Sequence, residues 1–70
     1  MDKILLRKLA KRIKELRKQY KFTQDDLSDK ANIARSTLGN IETAQNDLTF
    51  TKLNNIAKAF DMSLSEFLNF

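Results

Sequence analysis

The stretch FTQDDLSDKANIARSTLGNIE, residues 22–42, decides the fold of this chain. It opens with Thr23 followed three residues later by Asp26, the spacing at which side chains cap a helix N-terminus. The two adjacent acids fall in a first turn, where the helix dipole favours negative charge. The pattern therefore predicts a short helix over residues 24–30.

The second half of the stretch predicts a tight turn and another short helix. The apolar periodicity stops at Asn32, a residue type that tolerates the left-handed backbone of such a turn. It resumes with Leu38 and Ile41, which share one face of a helix over residues 35–42. Two short helices joined by three or four residues form a helix-turn-helix. The same geometry occurs in bundles that bind nothing, so it assigns no function by itself.

The flanking segments predict three more helices. Apolar residues recur every three or four positions along residues 3–20. Thr49 and Ser63 precede two later apolar patterns as N-caps, and Ser63 has Glu66 at capping-box spacing. The predicted buried stripes are Leu5, Leu9, Ile13, Leu16 and Tyr20 in the first helix, Leu53, Ile56, Ala57 and Phe60 in the fourth, and Leu64, Phe67 and Leu68 in the last. Because the chain has no Pro and one Gly, we predict an all-α fold, a compact five-helix bundle in a single domain over residues 1–70.

Composition excludes several classes of function. Seventy residues are too few for a large enzyme with a deep cleft. The absence of Cys and His excludes disulfides, thiolate nucleophiles, zinc fingers and imidazole bases. The nine carboxylates fall mostly at helix starts, where capping accounts for them. No apolar run reaches the length of a membrane span or of a signal-peptide core. We therefore expect a cytoplasmic protein that is not an enzyme and has no cofactor, metal or small-molecule ligand.

The positive charge of the chain is concentrated near its N-terminus. The net charge is +4 and the pI about 9.6, a value typical of nucleic-acid-binding domains. Residues 1–22 carry nine Lys or Arg and two acids, whereas residues 23–70 have a net charge of −3. A basic amphipathic helix also fits a solvated outer face or a membrane-surface segment. The membrane interpretation ranks last, because so short a chain needs that apolar face as core.

The second helix of the motif carries side chains suited to reading DNA. Burial of its apolar positions leaves a polar face that consists of Arg35, Ser36, Thr37, Gly39 and Asn40. Arg pairs with guanine edges, Asn with adenine edges, and Ser or Thr with bases or phosphates. Taken alone, the same residue types are also ordinary surface.

At this point the chain resembles a known family, the Cro and phage-repressor-like (Xre-type) helix-turn-helix regulators. The resemblance rests on residues 13–17, on residues 22–42 and on LTFTKLNNIAKAFDMSL, residues 48–64. The last of these is also similar to small restriction-modification controller proteins. The resemblance implies a lambda-repressor-like DNA-binding domain with its motif at about residues 24–43. In such a domain the third helix enters the major groove of operator DNA and the protein regulates transcription.

The family pattern implies specific DNA contacts for this chain. The matching positions are Gln24, Arg35, Ser36, Thr37, Asn40 and Thr43. Gln24 matches a glutamine at the start of the second helix, where the side chain and the helix N-terminus meet a phosphate. Lys52, near the start of the fourth helix, is a further candidate phosphate contact, with solvated surface as the alternative.

The family pattern also implies a structural ion pair and shows where this chain departs from it. Arg17 and Glu42 match an arginine and a glutamate that pair between the first helix and the end of the reading helix. Asn32 stands where the family usually has Gly, and Ala44 stands where a Gly follows the reading helix. Ala34 replaces the usual Ser or Thr cap, so we expect a weakened N-terminus on the third helix.

Assembly as a homodimer is expected from the size of the reading surface. One recognition helix reads too few base pairs to outcompete the non-specific sites of a genome. A two-fold dimer would read a palindromic site with half-sites about 34 Å apart. The predicted contact surface consists of Leu64, Phe67, Leu68 and Phe70, with closure of the core as the alternative role. Another interpretation is a DNA-binding or protein-interaction fragment of a longer repressor or an antitoxin.

Overall fold

Five helices account for the secondary structure of residues 2–70, the part of the chain that the computed structural model describes. They are α1 (Lys3–Tyr20), α2 (Gln24–Ala31), α3 (Arg35–Glu42), α4 (Phe50–Ala59) and α5 (Leu64–Phe67). No strand occurs among these residues. The prediction of an all-α, five-helix fold is therefore confirmed, and α2 extends one residue further than predicted. Met1, the first residue of the predicted domain, lies outside the described part.

Side-chain caps fix the starts of four of these helices. The capping residues are Asp2, Thr23, Thr49 and Ser63. In two cases the cap is a capping box, in which a carboxylate accepts a hydrogen bond from the backbone N–H of the capping residue. Asp26 does this for Thr23 at 2.9 Å and Glu66 for Ser63 at 3.0 Å. These backbone hydrogen bonds, supported by the hydroxyl groups of the same residues, hold the pKa of both carboxyls below its usual value. As expected, Ala34 gives α3 no side-chain cap.

The turn between α2 and α3 has the predicted left-handed residue. Asn32 has φ 54°. Its N–H donates to the Asp29 carbonyl at 3.3 Å, and the N–H of Ile33 donates to the Ser28 carbonyl at 2.9 Å. The Ile33 side chain is buried in the core. The turn thus satisfies the last carbonyls of α2 while it anchors the start of α3.

All five helices contribute to one core. Helix α2 packs against α3 and α4, α1 packs against α3, and α4 packs against α5. The fully buried large side chains are Leu9, Ile13, Leu16, Leu27, Leu38, Ile56, Phe60 and Phe67. The shared core fixes α3 relative to α1 and α2, and this relation positions the candidate site.

The buried stripe of α1 differs from the predicted one at both ends. Leu5 and Tyr20 are 39% and 40% exposed, whereas Leu6 and Ala10 are buried. The buried face of α1 is therefore displaced around the helix axis from the predicted one, towards Leu6 and Ala10. Tyr20 lies where the helix runs past the core, and only part of its ring packs against Phe60, at a centroid distance of 5.2 Å.

Of the two roles predicted for Phe67, the structure shows closure of the core and does not place the residue on the predicted contact surface. Its side chain is fully buried in the core, and Leu64 is partly buried against the same cluster. A core of this size needs the large ring of Phe67. Leu68 and Phe70, in contrast, are 38% and 49% exposed. Only the C-terminal end of the predicted surface is therefore available to a partner.

Helix α5 is tied to α1 by a side chain that the sequence pattern does not single out. The Arg12 guanidinium donates from Nε to the Phe67 carbonyl at 3.0 Å and from Nη2 to the Glu66 carbonyl at 3.1 Å. Both carbonyls lie at the C-terminal end of α5, where the Glu66 carbonyl also accepts from the N–H of Asn69 at 3.2 Å. Arg12 thus caps α5 across a separation of more than fifty residues.

Candidate nucleic-acid interface

Helix α3 presents a continuous polar face opposite its buried side. Leu38 and Ile41 point into the core. The exposed residues on the other side are Arg35, Ser36, Asn40 and Thr43, while Thr37 is half-buried. Ser36, Asn40 and Thr43 follow one another at spacings of four and three residues, which places them on one face of the helix. At roughly 1.5 Å per residue, the face extends about 10 Å from Ser36 to Thr43.

Arg35 lies along this face and reaches towards α2. Its Nε stands 3.1 Å from Oδ1 of Asp25, and both side chains are largely exposed. Its Nη1 lies 3.5 Å from the point where a Cβ on Gly39 would stand. An exposed ion pair contributes little to stability, so Arg35 can leave Asp25 for another acceptor at small cost. The sequence explains Asp25 only as a first-turn acid and does not predict this contact.

A buried carboxylate fixes the orientation of α3. Glu42 Oε2 accepts from Arg17 Nε at 2.7 Å, and Oε1 accepts from Arg17 Nη2 at 2.9 Å. The Glu42 side chain is 3% exposed and that of Arg17 20%. Arg17 Nη1 also donates to the Phe22 carbonyl at 3.1 Å. This bidentate pair joins the end of α3 to α1 and is the arrangement that the family pattern implies.

Gln24 joins the same network from α2. Its Nε2 donates to Glu42 Oε1 at 2.8 Å, and its side chain is half-buried. The amide nitrogen therefore has an internal partner in Glu42. Three helices thus meet at Glu42, which fixes the angle between α2 and α3.

Thr43 and Lys52 stand at the edge of the site. The Thr43 hydroxyl lies within hydrogen-bond distance of two carbonyls of its own helix, Gly39 at 3.2 Å and Asn40 at 3.1 Å. Lys52 lies in the first turn of α4, where its backbone N–H donates to the Thr49 hydroxyl. The structure brings the other predicted residues together on α3 and at its junction with α2, and it leaves Lys52 on a separate helix.

Comparison with known proteins decides the family. Residues 13–67 match the helix-turn-helix family. The chain belongs to it. Over 57 residues this helix-turn-helix protein is 37% identical to the immunity repressor protein of Bacillus phage phi105. The match covers 81% of this chain and 40% of the repressor, so the chain spans less than half the length of that relative.

Two solved structures of restriction-modification controller proteins share the fold. C.AhdI from Aeromonas hydrophila has a TM-score of 0.84 and 27% identity, over 89% of this chain and 94% of that chain. C.Esp1396I, solved as a tetramer in complex with its natural 35 base-pair operator, has a TM-score of 0.84 and 33% identity. The second match covers 96% of this chain and 92% of that chain. The resemblance to phage repressors and controller proteins is thus confirmed.

None of the helices in residues 2–70 combines the length and the apolar character that crossing a membrane requires.

Proposed function

We propose that this helix-turn-helix protein binds double-stranded DNA and regulates transcription, with α3 in the major groove. The observation that carries the proposal is the exposed polar face of α3, held at a fixed angle by the buried Glu42 carboxylate. A reading helix needs both properties, because base-edge hydrogen bonds demand side chains placed within fractions of an ångström. The matched controller protein in complex with its operator supports the same function.

Each polar residue has a role that follows from its chemistry. Arg35 donates to O6 and N7 of a guanine, and Asn40 pairs with an adenine edge. Ser36, Thr37 and Thr43 contact bases or the backbone, according to the depth at which α3 enters the groove. The N-terminal turn of α2, beginning at Gln24, binds a phosphate through its backbone N–H groups and dipole. Lys52 is a second phosphate contact.

The regulator acts as a homodimer on a palindromic operator in the cytoplasm. Two copies of α3 about 34 Å apart would read two half-sites one helical turn apart. The exposed apolar side chains of Leu68 and Phe70 supply the contact surface, with Leu64 at its inner edge. Apolar side chains that are exposed together favour a contact between protein surfaces.

Selection of bound sequences from random duplex DNA tests the function and the assembly together. The wild type should enrich an inverted repeat, whereas a variant with both Arg35→Ala and Asn40→Ala should enrich no consensus. A wild type that enriches a single half-site would contradict dimeric reading. Enrichment of no sequence at all would contradict the proposed function.

Sedimentation tests the contact surface directly. Phe70→Glu should shift the protein from dimer to monomer, whereas Phe50→Glu, at another exposed phenylalanine, should leave the dimer intact. A wild type that is monomeric at high micromolar concentration would exclude a preformed dimer and leave only assembly on the operator.

A further inference from the structure

A basic cleft lies between the first turns of α1 and the end of α3. Its volume is about 470 Å³, and its lining consists of Lys3, Arg7, Thr43, Ala44 and Gln45. Two of these residues are cationic, and the other three carry no charge. The cleft therefore concentrates positive charge at one point of the surface.

The cleft continues the polar face of α3. Thr43 belongs to both, since it lines the cleft and lies at helical spacing from Asn40 and Ser36 on the reading face. A duplex that lies along this face reaches the cleft at the C-terminal end of α3. The first turns of α1, which are remote from the motif in sequence, thereby become part of the same surface.

The backbone N–H groups and the Thr43 hydroxyl at the end of α3 are hydrogen-bonded within that end, which leaves α1 as the source of cationic donors in the cleft. Ala44 adopts a left-handed conformation, with φ 59°. As a result the N–H of Ala44 donates to the Ile41 carbonyl at 3.1 Å, and the N–H of Gln45 donates to the Asn40 carbonyl at 2.9 Å. The Thr43 hydroxyl is likewise directed at carbonyls of its own helix. The cationic groups that the cleft offers to an anion are therefore the side chains of Lys3 and Arg7.

We propose that Arg7 and Lys3 bind a backbone phosphate of the duplex that α3 reads. The proposal rests on the proposed function and extends it to a helix outside the motif. A guanidinium binds phosphate oxygens through two parallel hydrogen bonds, and a neighbouring ammonium adds a point charge. Lys3 and Arg7 stand four residues apart on α1, where like charges repel in the free protein. A bound phosphate relieves that repulsion.

The test measures how DNA affinity depends on salt for two matched variants. Arg7→Gln removes a cation from the cleft. Lys8→Gln removes one from the next position of α1, which does not line the cleft and borders a different depression together with Asp2, Lys3, Ile4 and Leu5. One phosphate contact contributes about 0.9 to the slope of log K against log salt concentration. Arg7→Gln should lower the magnitude of that slope by about 0.9 and leave base preference unchanged, and Lys8→Gln should leave the slope near that of the wild type.

Three outcomes decide the proposal. A lower slope for Arg7→Gln that Arg7→Lys restores supports it, because the charge rather than the fold is then responsible. Equal salt-dependence slopes for Arg7→Gln and Lys8→Gln overturn the proposed phosphate site in the cleft, since α1 then acts only through its overall charge. The proposed function is left intact. A wild type that binds no duplex at all overturns both.

Discussion

Helices α2 and α3 have the same length of eight residues but are stabilised in opposite ways. Helix α2 has a capping box at Thr23, acids in its first turn and a left-handed residue at its C-terminus. Helix α3 has Ala34 as its N-cap residue and so lacks a side-chain cap, has no acid in its first turn and contains Gly39 in its middle. It is held instead by tertiary contacts. The difference indicates that α3 depends on its neighbours for the stability that caps and first-turn acids supply to α2.

Among the changes that test this comparison, removal of the Glu42 carboxylate should lower the free energy of unfolding most. Glu42→Ala leaves the Arg17 guanidinium without its partner in a largely buried position, which for fully buried pairs costs about 3–5 kcal/mol. Because Arg17 is 20% exposed, we expect a loss of about 2–3 kcal/mol in the free energy of unfolding. Urea denaturation measures it.

A double-mutant cycle with Arg17→Met separates the pair from simple loss of packing. The coupling free energy should exceed the roughly 0–1 kcal/mol of an exposed pair. A coupling near zero would reduce both residues to independent charges and would leave α3 without the support described above.

Exchange of cap residues should make the two helices more alike. Thr23→Ala removes the cap of α2 and should lower the free energy of unfolding by about 1 kcal/mol. Ala34→Ser supplies the cap that α3 lacks and should raise it by about 0.5–1 kcal/mol. If Ala34→Ser lowers the free energy of unfolding as much as Thr23→Ala does, the missing cap does not limit the stability of α3.

Gly39→Ala sharpens the comparison by separating stability from binding. Gly in a helix interior costs about 0.5–1 kcal/mol relative to Ala, and the new methyl would meet Arg35 Nη1 at an ordinary contact distance of 3.5 Å. The variant should therefore raise the midpoint of urea denaturation. Unchanged DNA affinity would show that Gly39 is merely tolerated, whereas a loss of affinity would show that the DNA approaches the α3 backbone there.

Acid should weaken α2 through its capping box. Since hydrogen bonds from Thr23 lower the pKa of Asp26 from 3.8 in the folded protein, the carboxylate stabilises the fold above that pH, and this stabilisation is lost as pH falls further. Asp26→Asn should therefore be less stable than the wild type at neutral pH, and the difference should shrink below about pH 4. A difference that stays constant from pH 7 to pH 2 would contradict the cap.

Local signals in the sequence predict the helices, because caps and apolar spacing act within a few residues of one another. Thr23, Ser63 and Asn32 all adopt the predicted capping or turn geometry. The rotation of α1 was not predictable in this way, since burial of Leu6 rather than Leu5 depends on where other helices pack. The two roles predicted for Phe67 stayed open for the same reason: in the sequence, an apolar residue of the last helix looks alike whether it closes the core or faces a partner.

The candidate site likewise has a part that the sequence predicts and a part that depends on how the helices pack. Residue type and helical spacing predict the polar face of α3, and the family pattern adds Arg17 and Glu42. The contacts of Gln24 with Glu42 and of Asp25 with Arg35 join different helices, so no spacing rule predicts them.

The measurement that tests the central claim most directly compares Arg35→Ala with Gln24→Ala on a selected operator and on each of its single-base-pair variants. Arg35→Ala should cost about 1–3 kcal/mol of binding free energy and relax the preference at one base pair. Gln24→Ala should weaken binding about equally on every sequence, because it loosens the Glu42 network that orients α3 and removes no contact with a base. If Arg35→Ala binds every sequence as well as the wild type does, α3 does not read the DNA and the account is wrong.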